Sequence, residues 1–303
     1  MKVFFQFVII CLCLNACNKQ PKNKILANNI TSEVEKEPQK LSDDFKNYWY
    51  KGEAEITSYA LEQARYGEIR QGHAVLIYVT EDFLPKAQVK ANNQNPNNIP
   101  VLKLNATKSF NTGIYPYTIM QSVFYPVSNN KHAIKVSSSM QEWCGHVYAQ
   151  LNNRNDFEIT SHSYFEGEAD KNFTLEKAVL ENELWVQLRI NPKTLPTGNI
   201  NSIPAFEYTR MRHIPIKAYK ATATLKTNSY TISYPELQRQ LTINFNSNFP
   251  FEILSWTETF KSGFGTNAQT LTTKATKLKT LKSDYWNKNQ NKHEILRDTL
   301  FLN

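Results

Sequence analysis

Apolar and polar residues alternate along much of the chain. Tyr230, Ile232 and Tyr234 are separated by polar residues, and so are the apolar residues of 241–245. A period of two places successive side chains on opposite faces of a strand, which is typical of a sheet packed on one face and wet on the other. Segments rich in β-branched and aromatic residues predict further strands at 74–79, 101–104, 117–125, 134–151, 157–165, 214–225, 251–260 and 271–281.

Two segments have helical patterns instead. Ser42 stands directly before two aspartates and Phe45, which predicts a short helix with a serine cap. Apolar residues recur at spacings of three and four from Thr174 to Arg189, and Pro192 follows soon after. We therefore expect a mainly β fold, an antiparallel curved sheet or open barrel with one or two helices.

The first residues have the pattern of an export signal. One lysine and a short apolar run precede Leu14-Asn15-Ala16-Cys17. Cysteine after Leu-x-Ala resembles a lipobox, in which Cys17 is acylated after cleavage behind Ala16. The alternative is an ordinary signal peptide that contains three cysteines. We predict a lipoprotein signal peptide at 1–16, a polar flexible tether at 17–41 and a single β-rich domain at 42–303.

The predicted anchor determines the expected location and partners. Acyl chains attach a protein stably to a membrane. Basic residues follow Cys17 at Lys19 and Lys22. We expect a lipid-anchored protein of the cell envelope, on the outer membrane and facing the periplasm. Its partners would be the membrane and a lipid, peptide or envelope-protein ligand, and no nucleic acid.

Composition agrees with a folded exported chain and excludes some classes. The 303 residues are 41% hydrophobic, which excludes a wholly disordered chain. No apolar run of about 18 residues occurs, which excludes a polytopic membrane protein. Residues 207–303 carry 14 Lys and Arg against 7 Asp and Glu. The basic residues there either form a surface for anionic headgroups or protect an edge strand from pairing; they are Arg210, Arg212, Lys217, Lys274, Lys277, Lys279 and Lys282.

Candidate chemistry is confined to one short segment. On a regular strand Glu142, Cys144 and His146 point to the same face, the arrangement that a cysteine nucleophile with a base and an orienting acid requires. Neighbours two apart on a strand nevertheless lie side by side, about 6.6 Å apart at Cα, and do not face one another. Because Ile134 and Val136 share the phase of Cys144, we expect the thiol to be buried and structural.

No cofactor or metal site is expected. The histidines lack metal-ligand spacing, and no nucleotide-loop or serine-hydrolase motif occurs. Glu166, Glu168 and Asp170 cluster before the predicted second helix, and we interpret them as a solvated acidic turn.

Several segments together resemble an uncharacterised family of flavobacterial lipoproteins. They are Tyr48-Trp49-Tyr50, Ala54 to Tyr59, Gln63 to Glu68, Asn111 to Tyr117 and Gln141 to Gly145. Members often carry the name septum formation inhibitor Maf, which belongs to a cytoplasmic nucleotide pyrophosphatase family with a Ser-x-Ser-Pro-Arg-Arg motif. That motif is absent here. The resemblance implies kinship and supplies no mechanism.

We expect a non-catalytic binding or assembly component that uses an aromatic concave face. The alternatives are a cysteine-dependent enzyme centred on Cys144 and His146, and a structural lipoprotein without a ligand.

Overall fold

A computed structural model describes residues 40–128 and 131–302. The predicted signal peptide, Cys17 and nearly all of the predicted tether lie outside the described residues. Residues 40–302 belong to one compact unit. Most of this unit is strand; the strands are β1 (Ala54–Arg65), β2 (Glu68–Leu84), β3 (Val89–Lys90), β4 (Ile99–Thr112), β5 (Tyr115–Pro126), β6 (Lys135–Glu142), β7 (Gly145–Asn153), β8 (Phe157–His162), β9 (Lys171–Leu175), β10 (Val179–Leu180), β11 (Gly198–Ile203), β12 (Tyr219–Lys226), β13 (Ser229–Tyr234), β14 (Arg239–Phe245), β15 (Ile253–Ser262) and β16 (Gln269–Ser283).

All of these strands belong to one sheet. Its order is β10-β11-β12-β13-β14-β15-β16-β1-β2-β4-β5-β6-β7-β8-β9, with β3 paired to β2. Neighbours are antiparallel except for the short parallel pair β10 and β11. The first strand, β1, lies in the middle between β16 and β2. Among the described strands β9 and β10 are the two ends of this order, so the sheet does not close into a barrel. The expected mainly β, antiparallel fold is confirmed.

Four α-helices accompany the sheet in the described residues: α1 (Asp43–Trp49), α2 (Glu181–Ile190), α3 (Phe206–Arg212) and α4 (Ile295–Thr299). The predicted first helix is confirmed, and the Ser42 hydroxyl accepts a hydrogen bond from the Phe45 amide at 3.1 Å. None of the described helices has the length and apolar character needed to cross a bilayer.

The predicted second helix begins later than expected. Residues 171–175 pair with β8 as strand β9, and Val179 and Leu180 pair with β11. Only from Glu181 onward is the chain helical. Apolar residues at 175, 178 and 179 fit a helical spacing, but pairing with neighbouring strands satisfies their backbone groups instead.

The core lies on one face of the sheet, where α2 and α3 pack. Every residue of α2 is buried except Trp185 and Gln187, which are half-buried. Aromatic side chains from β1, β2 and β5 contribute to the same cluster, among them Tyr59, Tyr78 and Tyr117. These aromatic side chains are thus part of the core against which α2 and α3 pack.

A smaller apolar cluster lies on the opposite face. Leu300, just after α4, packs with Ala54, Ile56 and Val79. The C-terminal segment thus covers the outer side of the central strands β1 and β2.

Candidate functional site

The segment that carried the candidate chemistry is a hairpin rather than one strand. β6 ends at Glu142 and β7 begins at Gly145, which pairs with Glu142 across a two-residue turn of Trp143 and Cys144. The prediction of a continuous strand over 134–151 is wrong. Buried and half-buried side chains alternate only as far as Met140. The turn then changes the direction of the chain, so Cys144 does not point to the same face of the sheet as Val136.

Cys144 is exposed at the tip of this hairpin, so the expectation of a buried thiol is wrong. The Glu142 carboxylate accepts a hydrogen bond from the Cys144 amide at 2.7 Å and another from the Tyr164 hydroxyl at 3.1 Å. Hydrogen bonding to Glu142 raises the pKa of the Cys144 thiol above its ordinary value. His146 is exposed and pairs with Gln141 in the ladder. Within the described residues no hydrogen bond or ion pair joins it to Cys144.

The basic residues near the C-terminus do not protect an edge. β16 is paired on both sides, with β15 and β1. Lys277 forms an ion pair with Glu252 at 2.5 Å, and half-buried Lys282 donates to the Tyr48 carbonyl at 2.9 Å. Pairing and burial thus reduce the positive charge that this strand presents to solvent.

A network of buried ion pairs crosses the core between the sheet and the inner helices. Arg239 on β14 donates to Glu181 and Glu258, each at 2.6 Å, and Lys108 on β4 pairs with Glu207 of α3. The cavity between them measures about 50 Å³. A water molecule needs about 10–15 Å³ of such space, so the cavity has room for a few waters and not for a larger ligand. The carboxylates here are bound to cations of the protein and are not free for an external ligand.

A larger hollow, which we call the α3 cleft, opens between α3 and strands β7 to β9. It measures about 350 Å³. Its lining combines apolar and polar residues; the apolar lining consists of Val147, Ala149, Phe173, Phe206, Ile214, Pro215 and Ile216, and the rest of Gly167 and the polar residues Ser161, Glu168, Lys171, Thr209, Arg210 and His213. Ligand sites commonly combine such a concave apolar wall with a few polar groups.

The polar side of the α3 cleft is built from two distant segments. Glu168 comes from the loop between β8 and β9, while Arg210 and His213 come from the end of α3 and the residue after it. His213 adopts the left-handed conformation at φ 51° and ends the helix. Its Nδ1 lies 2.7 Å from the Glu168 carboxylate. Burial lowers the pKa of His213 below its ordinary value, although the hydrogen bond with Glu168 acts in the opposite direction.

The acidic turn predicted at Glu166, Glu168 and Asp170 is therefore only in part a solvated loop. Glu168 accepts a hydrogen bond from the Ser163 hydroxyl at 2.7 Å, and Asp170 accepts one from the Ser163 amide at 3.2 Å. The described residues contain no group of three or more side chains that could hold a metal ion.

No local pattern in the sequence predicts the α3 cleft. Arg210 and Glu168 lie 42 positions apart and share no motif. Only the pairing of β8 with β9 and the return of the chain through α3 bring them together.

The fold and the α3 cleft define a mainly β protein with one open antiparallel sheet. Comparisons with protein-family models and with curated proteins found no match. Among solved structures, a beta-barrel-like protein of a domain of unknown function from Brucella abortus is similar at a TM-score of 0.43 and 7% identity, over 76% of this chain and 96% of that one. A porin-like protein from Bacteroides uniformis has a TM-score of 0.20 and 9% identity, over 74% and 95%. These TM-scores and identities are too low to support a conclusion about function.

Proposed function

We propose that this chain is a non-catalytic binding component of the cell envelope, anchored through lipid on Cys17 and facing the periplasm from the outer membrane. Its binding site is the α3 cleft, which takes an apolar ligand. The observation that carries this proposal is a hollow of about 350 Å³ with apolar side chains from both the sheet and α3. Ligand pockets of about 300–1,000 Å³ are typical of small-molecule sites.

Two features support a role without catalysis. The Cys144 thiol is exposed on a hairpin tip, and its pKa is raised by hydrogen bonding to Glu142, whereas a nucleophilic cysteine needs a lowered pKa. The core carboxylates Glu181 and Glu258 are bound to Arg239. Neither group is arranged as a nucleophile with a base.

The cleft is tested by photolabelling the full-length protein in phosphatidylcholine nanodiscs with a diazirine derivative of dodecanol. We expect saturable labelling of peptides from β7, β9 and α3. Ala149→Phe fills the cleft from β7 and is expected to reduce this labelling about tenfold. Ser139→Phe is the matched control. Ser139 on β6 pairs with Tyr148, the residue before Ala149 on β7, so its side chain points to the opposite face of the sheet from Ala149.

Circular dichroism melting of both variants shows whether they remain folded. Loss of cleft labelling in Ala149→Phe alone, with both variants folded, supports the proposal. Labelling of the wild type outside the cleft only, or equal labelling of folded wild type and Ala149→Phe, would refute it.

A further inference from the structure

We infer that the ligand of the α3 cleft is amphipathic and that Arg210 binds its anionic group, a carboxylate or a phosphate. This inference rests on the proposed function and adds the chemical class of the ligand. It follows from the half-buried Arg210, whose buried Nε has no acceptor among the described residues, and from the buried Arg65 beside it.

Arg210 lacks a strong acidic partner. Its Nη1 lies 3.5 Å from Oε1 of Glu168, which is the limit of a hydrogen bond. The same Nη1 lies 3.1 Å from Nδ1 and 3.3 Å from Nε2 of His213, which carries no negative charge. The same carboxylate is already engaged, by His213 at Oε1 and by Ser163 at Oε2, both at 2.7 Å. Nε of Arg210 is buried and has no acceptor in the described part of the chain. An arginine normally binds a carboxylate through two parallel hydrogen bonds, so this one has unused donors.

Arg65 increases the positive charge behind this site. Its side chain is buried with 5% exposure, and its Nη atoms donate to the Met211 carbonyl at 2.6 Å and the Tyr117 hydroxyl at 2.9 Å. These acceptors are neutral, and within the described residues Arg65 has no carboxylate partner. Its Nε, like that of Arg210, has no acceptor.

The two guanidinium groups are close enough to affect each other. Burial lowers the pKa of Arg210, and the nearby Arg65 lowers it further, although Glu168 acts in the opposite direction. Half-buried Arg210 and buried Arg65 thus lie near each other, and other donors already hold the Glu168 carboxylate beside Arg210. A bound anion would offset this excess charge and occupy the unused donors.

Arg210 lines the same cleft as the apolar residues, so its positive charge lies beside them. Its guanidinium stacks over the Phe165 ring with its carbon 4.2 Å from the ring centre. Phe206, on the same helix, and Phe173, on β9, line the apolar part of the cleft. A ligand that places hydrocarbon against Phe173 and Phe206 brings its headgroup to Arg210. A fatty acid and a phosphorylated lipid both have this chemistry.

The test compares three diazirine probes of equal chain length in full-length protein in phosphatidylcholine nanodiscs: dodecanoate, dodecyl phosphate and dodecanol. We expect at least one anionic probe to label the cleft about tenfold more strongly than dodecanol. Arg210→Gln is expected to reduce the ratio of anionic to neutral labelling about tenfold, and Arg210→Lys to reduce it less.

Arg212→Gln is the matched control, because Arg212 lies on the same helix but donates to the Gly263 carbonyl at 3.4 Å and does not line the cleft. We expect it to leave the ratio unchanged. A preference for dodecanoate points to a fatty acid, and a preference for dodecyl phosphate points to a phospholipid headgroup. Equal labelling by all three probes would overturn the inference while leaving the proposed cleft intact. Absence of cleft labelling by every probe would overturn both.

Discussion

Arg189 of α2 donates two parallel hydrogen bonds to Glu55 of β1, Nη1 to Oε1 at 2.6 Å and Nη2 to Oε2 at 2.7 Å. Both side chains are 1% exposed. Tyr48 also donates to Glu55, and the Tyr78 ring lies 4.7 Å from the guanidinium carbon. The pair therefore ties the inner helix to the central strand and to the segment that precedes it.

We expect Glu55→Gln to destabilise the fold by about 3–5 kcal/mol, because removing the carboxylate leaves the positive charge of Arg189 buried without a negative partner. Urea unfolding followed by circular dichroism measures this loss. Glu62→Gln is the control on the same strand, since the Glu62 side chain is 46% exposed and lies 4.0 Å from Lys274. Its expected effect is below about 1 kcal/mol.

A double variant separates the pair from the rest of the core. Glu55→Leu combined with Arg189→Met removes both charges, and we expect it to cost less than the sum of the two single changes. Additive losses would contradict a direct interaction between the two residues.

Glu207 makes stability depend on pH. Burial raises the pKa of its carboxyl above the ordinary value, although the adjacent Lys108 partly opposes this. The folded state therefore binds a proton more tightly than the unfolded state does. Its contribution to stability is present at low pH and is lost as pH rises from about 4.5 through the folded pKa.

Glu207→Gln removes that titration. We expect its stability, relative to the wild type, to increase as pH rises from 5 to 8 in urea unfolding experiments. His213 titrates in both proteins, so its effect cancels in the difference. The control Glu236→Gln changes an exposed side chain near Lys217 and should show no trend. A difference that is constant with pH would contradict the assignment.

The Cys144 thiol is expected to react with a maleimide in native protein, since it is exposed. Because Glu142 raises the pKa of this thiol, Glu142→Gln should accelerate the reaction several-fold at pH 7. Peptide mass spectrometry identifies the labelled position, and Cys144→Ser reports labelling of the other three cysteines.

Glu68→Gln, at the turn between β1 and β2, is the control for a general change in surface charge. We expect Cys144→Ser to alter stability by less than about 0.5 kcal/mol. A thiol that reacts only after denaturation would contradict the exposed position.

Lipid attachment at Cys17 is tested in cells. Cys17→Ala is expected to abolish incorporation of a palmitate analogue and to release the protein from membranes. Cys144→Ser, which removes a cysteine far from the lipobox, should label normally. Continued labelling of Cys17→Ala would refute the predicted anchor.

The sequence by itself determined the features that depend on neighbouring residues. Alternation of apolar and polar side chains predicts β13 and β14, and Ser42 predicts the start of α1, because each pattern acts within a few positions. The antiparallel, mainly β class followed from these local patterns. The same logic failed at Trp143 and Cys144, since two non-glycine residues, one of them a large aromatic, gave no sign of a turn.

Only the tertiary structure decided where α2 begins and which residues form the α3 cleft. The spacing of apolar residues predicts a helix over 174–180, but residues 174 and 175 pair with β8 and residues 179 and 180 pair with β11, two strands outside the segment itself. Arg210 meets Glu168, and Arg189 meets Glu55, only after the sheet has formed. Such contacts join residues 42 and 134 positions apart. A local pattern carries no information about them, because the free energy that selects them comes from burying distant side chains together.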